Sequence, residues 1–154
     1  MSTPSIVHAT FSVERTYPAR AARVFAAFSD AAKKRRWFAE GEGFHVDEYT
    51  NDFRVGGHEF SRFRFKDGPS VTNDTVYLDI IDEKRIVFSY VMDVAGKRIS
   101  ASLASVELFP SGKGTRLVFT EQGQYFDGAD QPRQRELGSK ELLEHLAKEL
   151  DQHQ

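Results

Sequence analysis

Between Pro132 and Leu150 the leucines at Leu137, Leu142, Leu143, Leu146 and Leu150 recur at helical spacing and make one apolar stripe, with Glu141, Glu144, Lys148 and Glu149 directed elsewhere. Asp130 stands where an N-cap is expected, and Pro132 falls in the first turn, where its missing N–H costs nothing. A helix of this span is roughly 28 Å long, enough to cross a small sheet. Most of the chain before it reads as strand. Phe11 to Tyr17 alternates with period two and predicts the first strand. Pro18 ends it and opens a helix with Ala21, Val24, Phe25 and Phe28 on one face. Asp30 caps a second short helix through Arg36, broken by Gly41 and Gly43.

Strands follow at Phe44 to Tyr49, His58 to Lys66, Val71 to Ile81, Arg85 to Val94, Ile99 to Phe109 and Thr115 to Tyr125. Gly56-Gly57, Asp67-Gly68-Pro69, Ala95-Gly96-Lys97 and the run from Pro110 to Gly114 are the turns between them. One strand, two short helices, hairpin-linked strands and a closing helix predict the α+β class. The expected architecture is a curved antiparallel sheet of about six or seven strands gripping a long C-terminal helix.

At 154 residues the chain reads as one domain, 1–154, large enough to bury a core without staples. Its 13 Phe, 5 Tyr and 1 Trp suit either a Phe-rich core or an aromatic pocket. A net charge of −2, with both signs mixed along the chain, gives no field for nucleic acid or an anionic membrane. The absence of cysteine excludes disulfides, thiolate catalysis and thiolate metal sites. No signal peptide or membrane-length apolar run is visible, so the expected location is the cytoplasm.

Local motifs match in order from about residue 10 to 150. They are Pro18-Ala19 through Val24-Phe25-Ala26-Ala27-Phe28, Trp37-Phe38, Asp52-Phe53-Arg54-Val55-Gly56-Gly57 and Arg85-Ile86-Val87-Phe88. Gly114-Thr115-Arg116-Leu117 and Glu121-Gln122-Gly123 complete the set. With this element order, the chain resembles the START-like helix-grip superfamily, the polyketide cyclase, lipid-transfer and birch-pollen-allergen group. More closely, it resembles the C-terminal domain of the activator of heat-shock protein 90 ATPase and its stand-alone bacterial relatives. The resemblance implies the fold; the fold hosts many functions. With the first strand expected near Ser12, the separate N-terminal domain of the eukaryotic co-chaperone is not expected in this sequence. Relatives often carry Gly-Trp near the start of the last helix, where this chain has Gly138-Ser139, a change expected to enlarge or open one end of the pocket.

Strand phase assigns the faces. His58, Phe60, Arg62 and Arg64 suit solvent, which turns Glu59, Ser61, Phe63 and Phe65 inward. The same logic directs inward Thr75 and Tyr77, then Ile86, Phe88, Tyr90 and Met92, then Leu117, Phe119 and Glu121. The expected chamber is aromatic, with Trp37, Phe38 and Leu142 also at the ligand. A carboxylate enclosed by aromatic rings resists ionisation and can serve as a general acid or base, or receive a donor or cation from a ligand, which makes Glu59 and Glu121 the candidate catalytic pair. The commoner fate of such a residue is to lie near a strand end, solvated or paired with an arginine. The two aromatics of Trp37-Phe38 serve a core more often than a ligand pocket, and the Tyr77 and Tyr90 hydroxyls either anchor a ligand or pack with their ends reaching solvent.

Other signals carry less. The run Lys33-Lys34-Arg35-Arg36 reads as a solvated helix face, and His145 as a boundary residue beside the leucine stripe. Gly112-Lys113-Gly114-Thr115 lacks phosphate-loop spacing, and the five histidines lack metal-ligand spacing, so no metal or cofactor is expected. Asn73-Asp74-Thr75 is a glycosylation sequon in form only. Without a triad, metal site or cofactor loop, the sequence favours binding of a small hydrophobic or amphipathic ligand. The alternatives are a cyclase, hydratase or isomerase using Glu59 or Glu121, and a chaperone-regulating interaction module. No nucleic acid or membrane insertion is expected, while a homodimer through the sheet edge or helix is compatible with the chain.

Overall fold

Hairpin turns stack successive strands side by side until the last, which the first strand then flanks. A computed structural model describes residues 3–41 and 43–153. The elements are β1 (Ile6–Tyr17), α1 (Ala21–Ser29), α2 (Ala31–Lys34), a π-helical turn (Arg35–Ala39), β2 (Phe44–Asn51), β3 (His58–Phe65), β4 (Val71–Ile81), β5 (Arg85–Val94), β6 (Lys97–Ser111), β7 (Gly114–Phe126) and α3 (Pro132–Gln152). The seven strands form an antiparallel sheet in the order β1-β7-β6-β5-β4-β3-β2, an α+β helix-grip fold. Register shifts at Val46/Glu48, Tyr77/Asp79 and Met92/Asp93 are bulges, which bend strands and add twist. Between β5 and β6 the chain reverses on Ala95 (φ 52°) and Gly96 (φ 79°), the left-handed pair that a two-residue hairpin demands.

The concave face holds the core. Val24, Leu117 and Leu146 are fully buried, and Val13, Ile86 and Val106 nearly so. Tyr17 ties sheet to helix by donating its hydroxyl to the Leu143 carbonyl at 2.8 Å. The principal packing partners of α3 are β1, α1 and the π-helical turn. The inner faces of β3 to β5 therefore lie away from its main contacts.

Several expectations change. β1 begins at Ile6 rather than Phe11, because Ile6 pairs with Phe126 and Val7 with Tyr125. Ile6 and Val7 are both exposed there, so no alternation marks the extension. Asp30 does cap α2, accepting from the amides of Ala32 and Lys33 at 3.0 and 3.2 Å. The chain then stays helical past Arg36 to Ala39, with the Glu40 amide bonded to the Arg35 carbonyl. At the start of α3 the N-cap is Gln131, not Asp130, whose carboxylate is instead engaged by the Gln131 amide and by Arg135. Leu137 is 49% exposed and does not belong to the buried stripe. Ser139, Leu143, Leu146 and Leu150 form it, with Glu149, expected on the solvent side, buried among them. Both Glu149 oxygens accept from Arg36, at 3.0 and 2.6 Å. Phe65, expected to face inward, is 52% exposed and packs on the rim of β2 and β3 against Phe44 and Phe63.

Candidate functional site

Register places two polar rows side by side on the concave face. Ser61, Asn73, Met92 and Ser100 are successive partners across β3 to β6, and Glu59, Thr75, Tyr90 and Ser102 form the next row. The row after that runs Tyr77, Phe88, Ala104 and Glu121 across β4 to β7. The band is thus polar in the middle and apolar along its flanks, with a buried carboxylate towards each side.

Glu59, 4% exposed, lies beside the Lys34 ammonium, itself 7% exposed, at 3.0 Å. Its Oε2 also accepts from the Tyr49 hydroxyl at 2.6 Å. The Lys34 Nζ sits 4.4 Å from the Phe38 ring centre and 5.5 Å from those of Phe28 and Trp37. Desolvated ammonium over aromatic faces is attracted by their quadrupoles, which adds to the ion pair. Burial, and secondly Glu59, push the Tyr49 phenol far above its ordinary range, so it remains a donor.

Glu121 is fully buried. Its Oε1 accepts from Tyr90 at 2.5 Å, and its Oε2 from Tyr125 at 2.8 Å and Ser102 at 3.0 Å. Arg135 of α3 completes the cluster, with Nη1 3.4 Å from Glu121 Oε2 and donating to the Tyr90 oxygen at 2.9 Å. Its Nη2 donates to Ser100 Oγ at 2.8 Å and to Asp130. Gly123 makes room for this arrangement: Tyr125 folds back along β7 over it, and a Cβ there would overlap the phenol. Burial raises the Tyr90 and Tyr125 phenols well above the usual tyrosine range. For Arg135, burial works against the charge, but Tyr90, Glu121 and Asp130 outweigh it and hold the guanidinium above its ordinary value.

The remaining sequence-predicted residues divide by packing. Trp37 is buried, donates Nε1 to the Ala27 carbonyl at 2.8 Å, and meets Phe28 and Phe38 edge-on. Tyr77 is buried and donates to Asn51 at 2.7 Å. Ser61 is buried, while Phe38, Phe63, Phe88, Tyr90, Met92, Phe119 and Leu142 are half-buried. His145 is half-buried on α3. Two open depressions lie elsewhere. One, about 460 Å³, is on β1, β6 and β7 and includes His8, Thr10, Leu103, Gln122 and Gln124; the other, about 330 Å³, is at the Tyr17-Pro18 turn. Neither includes a residue of α3.

Sequence reasoning missed both cations. The basic run reads as a solvated face, yet Trp37 and Phe38 stand three and four residues after Lys34, and helical spacing puts it on their side. Arg135 likewise leads Ser139, Leu142 and Leu146 at helical spacing.

Over residues 18–152 the chain matches the family described as Activator of Hsp90 ATPase homolog 1-like protein. The chain belongs to this family. Among solved structures of similar fold, the Mll3558 protein of Rhizobium loti is 52% identical, covers 94% of this chain and 99% of its own, and superposes with a TM-score of 0.87. A protein of Rhizobium leguminosarum is 37% identical, with 99% and 100% coverage and a TM-score of 0.94. The AHSA1-like protein of Aeromonas hydrophila is 22% identical, with 93% and 92% coverage and a TM-score of 0.71. No curated protein matches. For this AHSA1-like chain, membership supports a small ligand-binding domain in general terms. Among its described residues, no helix is long and apolar enough to cross a membrane, and no group of three or more His, Asp or Glu is gathered as metal ligands.

Proposed function

We propose that the concave face binds a small hydrophobic or amphipathic molecule between the inner surfaces of β3 to β5 and α3, in a cytoplasmic setting. One observation carries the reading: Phe63, Phe88, Met92, Phe119, Phe38 and Leu142 are only half-buried around the polar band. Apolar side chains gathered with a few convergent polar groups are the usual composition of a ligand site. The main packing of α3 against β1, α1 and the π-helical turn is consistent with access from the β3–β5 side.

Binding fits better than acid–base catalysis. The oxygens of Glu59 and Glu121 already accept from Lys34, Tyr49, Tyr90, Ser102 and Tyr125, with Arg135 alongside, so each carboxylate is held by buried protein donors and a cation that favour its charged form rather than poised to exchange a proton with a substrate. Native mass spectrometry of gently purified protein, followed by denaturing extraction, tests the reading. A stoichiometric small-molecule adduct that disappears in Met92→Trp supports it, and a clean apo mass with no uptake of added amphiphiles refutes it.

Family membership favours a second reading, regulation of a chaperone ATPase. That reading requires nucleotide-dependent association with such a chaperone and a change in its ATP turnover; the absence of both rejects it.

A further inference from the structure

Ser61 is 1% exposed, and among the described residues its Oγ has no hydrogen-bonding partner. The buried Oδ1 of Asn73, its register partner on β4, is also unpartnered. An orphaned buried hydroxyl or amide is costly, and a serine in a strand ordinarily has partners within reach. These two stand out because the groups around them are satisfied. Glu59, two residues before Ser61, is engaged by Lys34 and Tyr49, and Ser100, across Met92 in the same row, accepts from Arg135. Ser61 lies deep, whereas Asn73 and Met92 beside it are half-buried and Phe63 supplies an apolar neighbour. The gap in the network therefore faces the region where the ligand is proposed.

Charge narrows the chemistry. Lys34 balances Glu59, but Glu121 and Asp130 share the single guanidinium of Arg135. Counting the partly exposed Asp130, the network thus carries one carboxylate in excess, and an anionic head group brought beside it meets repulsion as well as desolvation.

We infer that Ser61 and Asn73 receive the polar head of the ligand, and that this head is a neutral group with both donor and acceptor, a hydroxyl or primary amide, on an apolar body. This rests on the concave-face reading above. A hydroxyl head accepts from Ser61 and donates to Asn73 Oδ1, while a carboxylate has no proton for the latter.

Isothermal titration with 1-octanol, octanoate and 1-chlorooctane, on wild type, Ser61→Ala and Asn73→Leu, separates the possibilities. The expected result is that wild type binds 1-octanol at least about tenfold more tightly than octanoate, and that each variant loses about fivefold to tenfold for 1-octanol with 1-chlorooctane unchanged. Ser61→Ala is expected to keep or raise the unfolding midpoint, since it removes an orphaned group. Equal affinity for octanoate, unchanged 1-octanol affinity in both variants, or parallel loss of 1-chlorooctane overturns the head-group assignment and leaves the concave-face reading standing. Failure of wild type to bind any of the three overturns both.

Discussion

Replacing Arg135 with Met keeps most of the side chain's apolar stem but removes the guanidinium beside a carboxylate with no solvent exposure. Losing one partner of a buried pair costs about 3–5 kcal/mol, chiefly because the other charge stays buried. Glu121 retains the donors Tyr90, Tyr125 and Ser102, which places the expected loss near the lower end, about 3 kcal/mol. For a chain of this size that lowers the thermal midpoint by about 6–12 °C. Glu121→Leu alone strands Tyr125 and Ser102 but leaves Arg135 paired with Asp130 and Ser100. In the double variant the fully buried carboxylate is removed along with its cation and only the partly exposed Asp130 is left unpaired, so its loss falls short of the sum of the two singles by about 2 kcal/mol. Urea unfolding followed through the single tryptophan, Trp37, reads all four proteins. A loss under about 1 kcal/mol for Arg135→Met, or simple additivity in the double variant, refutes this account of the cluster.

Three further outcomes follow from the same geometry. Gly123→Ala displaces the Tyr125 ring from Glu121 and lowers stability by about 1–3 kcal/mol, measured by urea unfolding, and combining it with Tyr125→Ala removes most of that penalty. Asp30→Ala removes the α2 cap and costs about 1 kcal/mol, read as a shift in urea midpoint at constant slope. Tyr17, Tyr49, Tyr77, Tyr90 and Tyr125 are all raised by burial, so the folded state holds their protons more tightly than the unfolded chain. Their contribution is complete below about pH 10 and lost as pH climbs beyond it; phenol absorbance should therefore rise together with unfolding, and early titration of a still-folded protein contradicts this.

The strands were legible because each is half-buried and closed by a turn signal. Val71–Ile81 and Arg85–Val94 fall at the boundaries that alternation and the Ala95-Gly96 turn indicate. The start of β1 was not, since Ile6 and Val7 both remain exposed and owe their conformation to pairing with β7. On α3 the leucine count pulled the stripe towards Leu137, but the buried face continues upward through Ser139 to Arg135, whose polar ends conceal it. A basic side chain enters a core only where a carboxylate waits, and those partners sit on distant strands: Glu59 for Lys34, 25 residues on, and Glu121 for Arg135. The carboxylates could be placed on the inner face from strand phase; the cations that define their chemistry required the tertiary structure.

The most direct test of ligand binding on the concave face is a residue-resolved amide NMR titration of the wild-type protein with 1-octanol. Saturable shifts centred on Ser61, Phe63, Asn73, Phe88, Met92 and Leu142 are predicted. Shifts centred instead on His8, Thr10, Leu103, Gln122 and Gln124, the depression on β1, β6 and β7, contradict the account.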